Sequence, residues 1–288
     1  MPPDVANPGL FLVSRRSAFG LYHVENWAFN IVFIGGAMAS HRDFVSAQGR
    51  RLAYQRILGK GPEIVFLSGF KSDMQGKKAL HLAQWATRRD RRFLRFDYSG
   101  HGQSSGLFCD GCIGDWLTDA EAVIAELTEG PVILVGSSMG GWISLILAQR
   151  LGARVAGLVT IAAAPDFTED SIWAGFNADQ RAELKRNGQI AIRSDYDEPY
   201  TITQRLIEDG RHNLVLHKPL ELPCSTRFLQ GTADVDVDMS VALRLLAHAS
   251  GPDIQLTLVD GADHRFSDDR CLGLIENALI DVLPPVLN

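Results

Sequence analysis

Apolar residues fall into runs of two kinds along most of the chain. Short apolar runs at 63–67, 131–135 and 155–162 have the length of strands buried on both faces, and 92–96, 223–229 and 254–259 read as further strands. Between them, apolar residues recur on one helical face. Leu80, Leu82, Ala83 and Ala86 form one such stripe. Trp116, Leu117, Ala120, Val123, Ile124 and Leu127 form another, in a helix predicted to begin near Asp115. Residues 141–150, 241–248 and 272–283 complete the helical set. Strand and helix in steady succession predict a largely parallel sheet covered on both faces. Ahead of them, 44–47 and 51–57 flank Gln48-Gly49, a predicted hairpin turn, and the alternation in 51–57 predicts a half-exposed edge strand.

The rhythm breaks between 164 and 222. There Phe176, Ala182 and Leu184 sit among charged residues in short helix-like pieces, with a small strand predicted at 190–193. The segment is too long for a bare loop. Its place after a core strand predicts a small helical cap, about 165–222, over the sheet edge where ligands bind in open α/β folds.

The first forty residues follow a different pattern. Residues 27–39 are almost wholly apolar but fall short of the roughly 20 residues of a membrane-spanning helix, so no transmembrane anchor is expected. Ala37-Met38-Ala39 with Arg15 and Arg16 upstream resembles a signal segment, although Glu25 lies close to the apolar run and the arginines stand well back from it. The favoured expectation is an extension over 1–40, with Met38 as a candidate start, and a domain over 41–288. A structured element and an export signal are the alternatives. The expected location is cytoplasmic, or outside the cell if the signal is genuine.

Composition narrows the function. A chain of 288 residues with 46% apolar content and 27 glycines suits one large α/β domain, and a net charge of -6 offers no footprint for nucleic acid. Cys109 and Cys112 have CxxC spacing but lie in a Gly/Asp-rich loop rather than after a strand, so the four cysteines read as incidental thiols. The glycine-rich stretch 97–106 lacks a dinucleotide fingerprint, and there is no Walker lysine-hydroxyl pair. It reads as the rim of a site, and His101 within it as a rim residue. No cofactor is expected. Asp263 beside His264 has no second histidine at ligand spacing, so no metal is expected either.

Gly136-Ser137-Ser138-Met139-Gly140 lies between an apolar run and a helical stretch, the setting of a nucleophile elbow. Ser138 is the central residue. A serine hydroxyl needs a base held by a third group, and the chain order for this arrangement is Ser, Asp or Glu, His. Asp234 and His264 fill it, each in a loop following a strand; Asp236 and Asp238 are nearby alternatives to Asp234, with Asp238 suited to capping the next helix. The oxyanion hole calls for two backbone N–H groups. Met139, next after the nucleophile, and Phe70, in the loop 68–71, are the candidates.

The segments at 66–71, 95–100, 134–142 and 263–265, taken together, resemble the α/β-hydrolase family from about residue 51 to near the C-terminus. The resemblance implies a mostly parallel, eight-stranded type of sheet with helices on both faces and a small helical cap. It implies a branch that hydrolyses acyl thioesters, such as S-palmitoyl cysteine, or activated oxygen esters such as acyl glucuronides, with a small acyl ester or an acylated protein as partner. A broad carboxylesterase is the alternative, followed by a cofactor-free haloperoxidase-type enzyme and a non-catalytic binding protein. Met74, Trp142, Trp173 and Phe176 are candidates for an acyl channel, and Arg265 for attracting a carboxylate. One departure stands out: Val237 is followed by Asp238 where family members often have proline.

Overall fold

The computed structural model describes residues 31–34, 37–46, 48–192 and 199–284. In chain order the core begins with strands β1 (Ile31–Ile34), β2 (Ala37–Val45), β3 (Arg51–Ile57) and β4 (Lys60–Leu67). It continues through helix α1 (Lys77–Arg88), β5 (Arg91–Phe96), α2 (Ile113–Leu127), β6 (Val132–Ser137), α3 (Met139–Leu151) and β7 (Val155–Ile161). After β7 come a π-helical turn (Thr168–Trp173), α4 (Ala178–Asn187), a hairpin of β8 (Gln189–Ile192) and β9 (Tyr200–Thr203), α5 (Gln204–His212) and the two-residue β10 (Leu220–Glu221). The core resumes with β11 (Thr226–Gly231), α6 (Met239–His248), the short β12 (Ala249–Ser250), β13 (Ile254–Val259) and α7 (Asp269–Val282).

Nine strands form the main sheet in the order β1-β2-β3-β5-β4-β6-β7-β11-β13. The run from β5 to β13 is parallel, and β1, β2 and β3 join antiparallel at one end. Eight of these strands match the expected sheet; β1 is an additional outer strand. Strands β1 and β2 place residues 31–34 and 37–40 in the sheet, and the rest of the extension expected over 1–40 lies outside the described residues. One expectation is corrected. β3 is not an edge: it is flanked by β2 and β5, and its polar positions are used internally, with Arg56 making two bonds to the fully buried Glu63 of β4. The Gln48-Gly49 turn is as expected, with Gly49 at φ +74° and its N–H bonded to the Ser46 carbonyl.

The apolar runs sort by alternation. In β4, Val65 and Leu67 enter the layer under α2 and α3, while Ile64 and Phe66 enter the layer under α1 and α7; in β6, Val132 and Leu134 oppose Ile133 and Val135 in the same way. Each such fully buried side chain is worth about 1.5–3 kcal/mol, which fixes the register of the strands that carry the site. From β4 the chain passes to β5 on one side and then crosses back to β6 on the other. The ends of β4 and β6 therefore flank a switch point, where a crevice forms in sheets of this kind.

The segment after β7 is a cap as predicted, but a mixed one, since it carries the β8–β9 hairpin besides its helices. Its two ends are tied by the buried Asp166, whose carboxylate oxygens accept from the Val215 and Leu216 N–H groups at 2.8 and 2.7 Å. Asp209 of α5 accepts from the Gly114 N–H at 2.6 Å in the first turn of α2, a carboxylate at the positive end of a helix.

Candidate active site

Ser138 occupies the turn between β6 and α3 with φ +54° and ψ -117°, a backbone conformation that costs a non-glycine residue about 1–3 kcal/mol. Surrounding bonds enforce it. Its N–H donates to the Ile161 carbonyl at 2.9 Å, and its carbonyl accepts from Gly141 and Ala164. The flanking glycines act through close approach. A Cβ on Gly140 would stand 2.1 Å from the Leu67 carbonyl oxygen, and one on Gly136 would stand 2.2 Å from that of Gly140. The turn is thus pressed against the end of β4 as well as against its own helix.

His264 bridges the other two predicted residues. Its Nε2 lies 3.1 Å from Ser138 Oγ and its Nδ1 2.9 Å from Asp234 Oδ2. The carboxylate can only accept, so Nδ1 carries the proton and Nε2 is left to accept from the serine hydroxyl. Asp234 is fully buried at its side chain and accepts three further bonds. Asp236 and Val237 donate their N–H groups to Oδ1 at 3.0 and 2.8 Å, and Gln230 Nε2 donates to Oδ2 at 2.9 Å. The three acids are placed differently. Asp236 is exposed and gives its amide to Asp234, while Asp238 caps α6 by accepting from the Ser240 N–H at 2.8 Å. That cap also accounts for the missing proline. The loops carrying acid and histidine meet at Gly231, where a Cβ would come within 2.1 Å of the Ala262 carbonyl oxygen.

The two expected amide donors are Met139, next to Ser138 in the chain, and Phe70, next to Gly69 in the facing loop. Met139 is the first residue of α3, so its N–H has no partner within the helix. Across from it, Gly69 lies so near that a Cβ there would be 3.3 Å from Ser138 Cβ, and Phe70 follows in a turn closed by a bond from the Ser72 N–H to the Gly69 carbonyl. That turn has a fixed far post. The Met74 N–H donates to Asp97 Oδ1 at 2.7 Å, and the Met74 carbonyl accepts from Arg95 at 2.7 Å. The other oxygen of Asp97 holds the Gln103 N–H at 2.9 Å, so the 97–106 rim is braced as anticipated. Within that rim His101 is buried among Tyr98, Phe108 and Trp116, and burial pushes its pKa down to about 4, leaving it neutral.

A cleft of about 770 Å³ opens above Ser138 and His264. Of the five residues proposed to line it, only Arg265 does. Met74 is wholly buried as the loop post. Trp142 packs under the cap with its indole N–H on the Asn213 carbonyl at 3.0 Å. Trp173 is covered by the guanidiniums of Arg181 and Arg211, and Phe176 packs against Trp173. The apolar wall instead comes from Phe70, Phe167, Ile172, Ile192, Tyr200 and Val237. Phe70 is its hub, edge-on to Phe108, Trp116, Phe167 and Tyr200 at 4.8–5.9 Å between ring centres. All four cysteines are free thiols.

Residues 64–276 match the model of the "Alpha/beta hydrolase family". Among curated proteins, the chain is 32% identical over 234 residues to the mitochondrial palmitoyl-protein thioesterase ABHD10 of Rattus norvegicus, covering 81% of this chain and 78% of that one. Among solved structures, a putative hydrolase from Agrobacterium vitis S4 is 40% identical with a TM-score of 0.82, covering 85% of this chain and 99% of its own. The alpha/beta hydrolase domain-containing protein 10 from mouse is 30% identical with a TM-score of 0.79, covering 85% and 98%. With the fold, the strained serine turn and these likenesses together, the chain is a hydrolase and belongs to the alpha/beta hydrolase family.

Proposed function

We propose that the protein hydrolyses acyl thioesters or activated oxygen esters through an acyl-enzyme on Ser138. The observation that carries this reading is the unbroken chain of contacts Ser138 Oγ, His264 and Asp234 at 3.1 and 2.9 Å on the floor of a cleft with an apolar wall. His264 Nε2 takes the Ser138 proton as Oγ attacks the acyl carbon, and Asp234 stabilises the imidazolium that results. The Met139 and Phe70 amides stabilise the oxyanion. As the intermediate collapses, His264 returns its proton to the departing sulfur or oxygen; water activated by the same nitrogen then clears the acyl group. The apolar wall from Phe70 to Tyr200 suits the acyl chain. The name of the rat relative supports the thioester half of the reading.

The test has two parts. Ser138→Ala abolishes labelling by a fluorophosphonate probe. In the wild type, kcat/KM rises with acyl length across a thioester series. Inert long-chain thioesters beside rapid turnover of short p-nitrophenyl esters would replace the thioesterase reading with a broad carboxylesterase.

A further inference from the structure

The cleft is divided chemically by the elements that build it. The cap contributes Phe167, Ile172, Ile192 and Tyr200, whereas Lys77 and Lys78 come from the first turn of α1 and Arg265 from beside the histidine. These cations gather in a chain of net charge -6. A lysine normally carries its ammonium out to water, yet Lys78 lies in the wall of the cleft with Nζ donating to the Arg265 carbonyl. Its surroundings are dry enough that burial lowers its pKa to about 8, with Arg265 acting in the same direction and Asp263 and Asp234 opposing. One of its three N–H donors is used by the Arg265 carbonyl, and the mechanism above makes no use of the charge.

The leaving group gives that charge a role. His264 Nε2 has to reach the departing atom to protonate it, so side chains beside His264 face the leaving group rather than the acyl chain. We propose that Lys78, assisted by Lys77 and Arg265, forms a subsite for an anionic group, carboxylate or phosphate, carried on the leaving thiol or alcohol. The inference rests on the roles proposed for Ser138 and His264. Asp73 and Asp236 also line the cleft; Asp73 accepts from the Gln75 N–H at 2.8 Å. The fourth cation, Lys71, stands over the rings of Phe108 and Tyr200 and belongs to the aromatic side.

A matched set of octanoyl thioesters tests this in the full-length protein: N-acetylcysteamine as a neutral thiol, N-acetylcysteine bearing one carboxylate, and coenzyme A bearing phosphates. At low ionic strength the wild type favours an anionic thiol by about tenfold or more in kcat/KM, and whichever anion gains identifies the source of the charge. Lys78→Met brings the anionic-to-neutral ratio towards one, mainly through KM, and Lys77→Ala and Arg265→Ala lower it less. Reading a ratio within each variant cancels any loosening of the His264 loop. The sign with pH is fixed: Lys78 is charged below about 8, so the preference is full below that pH and declines as pH rises through it. Among the groups that act on Lys78, which include Asp234, Asp263, Arg265 and Cys271, the thiol is pushed up to about 11 and stays neutral through this window. A wild-type ratio near one for both anions, or an unchanged ratio in Lys78→Met, overturns the subsite while Ser138-dependent turnover of the neutral thioester still upholds the hydrolase reading. A wild type inert to all three sinks both.

Discussion

The floor and the roof of the cleft are built to different tolerances. The floor is backbone against backbone: Gly140 on the end of β4 and Gly231 on the Ala262 carbonyl leave no room for a methyl group, and Gly69 stands close beside the Ser138 side chain. The roof is side chain against side chain. Phe167, Ile172, Ile192 and Tyr200 extend from a cap whose outer ties are ion pairs such as Arg244–Asp170 at 2.6 Å and Arg211–Glu169 at 2.7 Å. Geometry that must be held to a fraction of an ångström is thus assigned to peptide groups, and shape that selects among acyl chains to exchangeable side chains.

Substitutions can break this contrast in a graded way. Asp234→Asn keeps the fold but favours the wrong histidine tautomer, and steady-state kinetics should show kcat lower by about ten-thousand-fold; near-normal rates would return the role to Asp236. Gly140→Ala gains helix propensity yet forces a methyl group against the Leu67 carbonyl. Urea denaturation should show a loss of about 3 kcal/mol, and unchanged stability would mean that the floor has slack. Gln230→Leu removes the donor to Asp234 Oδ2 and to the Val237 carbonyl. A hydrogen bond to a charged group is worth about 1.5–3 kcal/mol, so kcat should drop by roughly tenfold with little change in KM. Phe167→Ala acts on the roof: kcat/KM for long-chain thioesters should fall by about tenfold while short chains are spared, and an equal loss for both would erase the division of labour. Arg244→Ala should change stability by no more than about 1 kcal/mol, as expected for a half-exposed pair.

The floor was also the part legible in the sequence. β4 and β6 are buried on both faces, so their apolar runs are continuous, and Ser138, Asp234 and His264, which the structure brings within hydrogen-bond reach, sit after strand ends in the chain order expected. The roof comes from a segment without clear periodicity, where sequence cannot say which apolar residues face the cleft. Met74, Trp142, Trp173 and Phe176 have the right chemistry, but each is consumed by packing or by hydrogen bonds beneath or outside the wall. Two polar residues left faint signals. Gln230 interrupts an otherwise apolar strand ending, and Lys78, half-buried in the first turn of α1, lies at helical spacing from the buried Leu82, Trp85 and Ala86.

Asp97 carries a consequence for how such a hydrolase can be re-engineered. One of its oxygens accepts from the Met74 N–H at the far end of the loop that carries Phe70, and the other pins the rim at Gln103, while Gly102 presses so close that a Cβ would stand 2.2 Å from the carboxylate. The two loops, separated by a helix and a strand in the chain, therefore form one mechanical part. A chimera that imports either loop alone from a relative would arrive with half a joint.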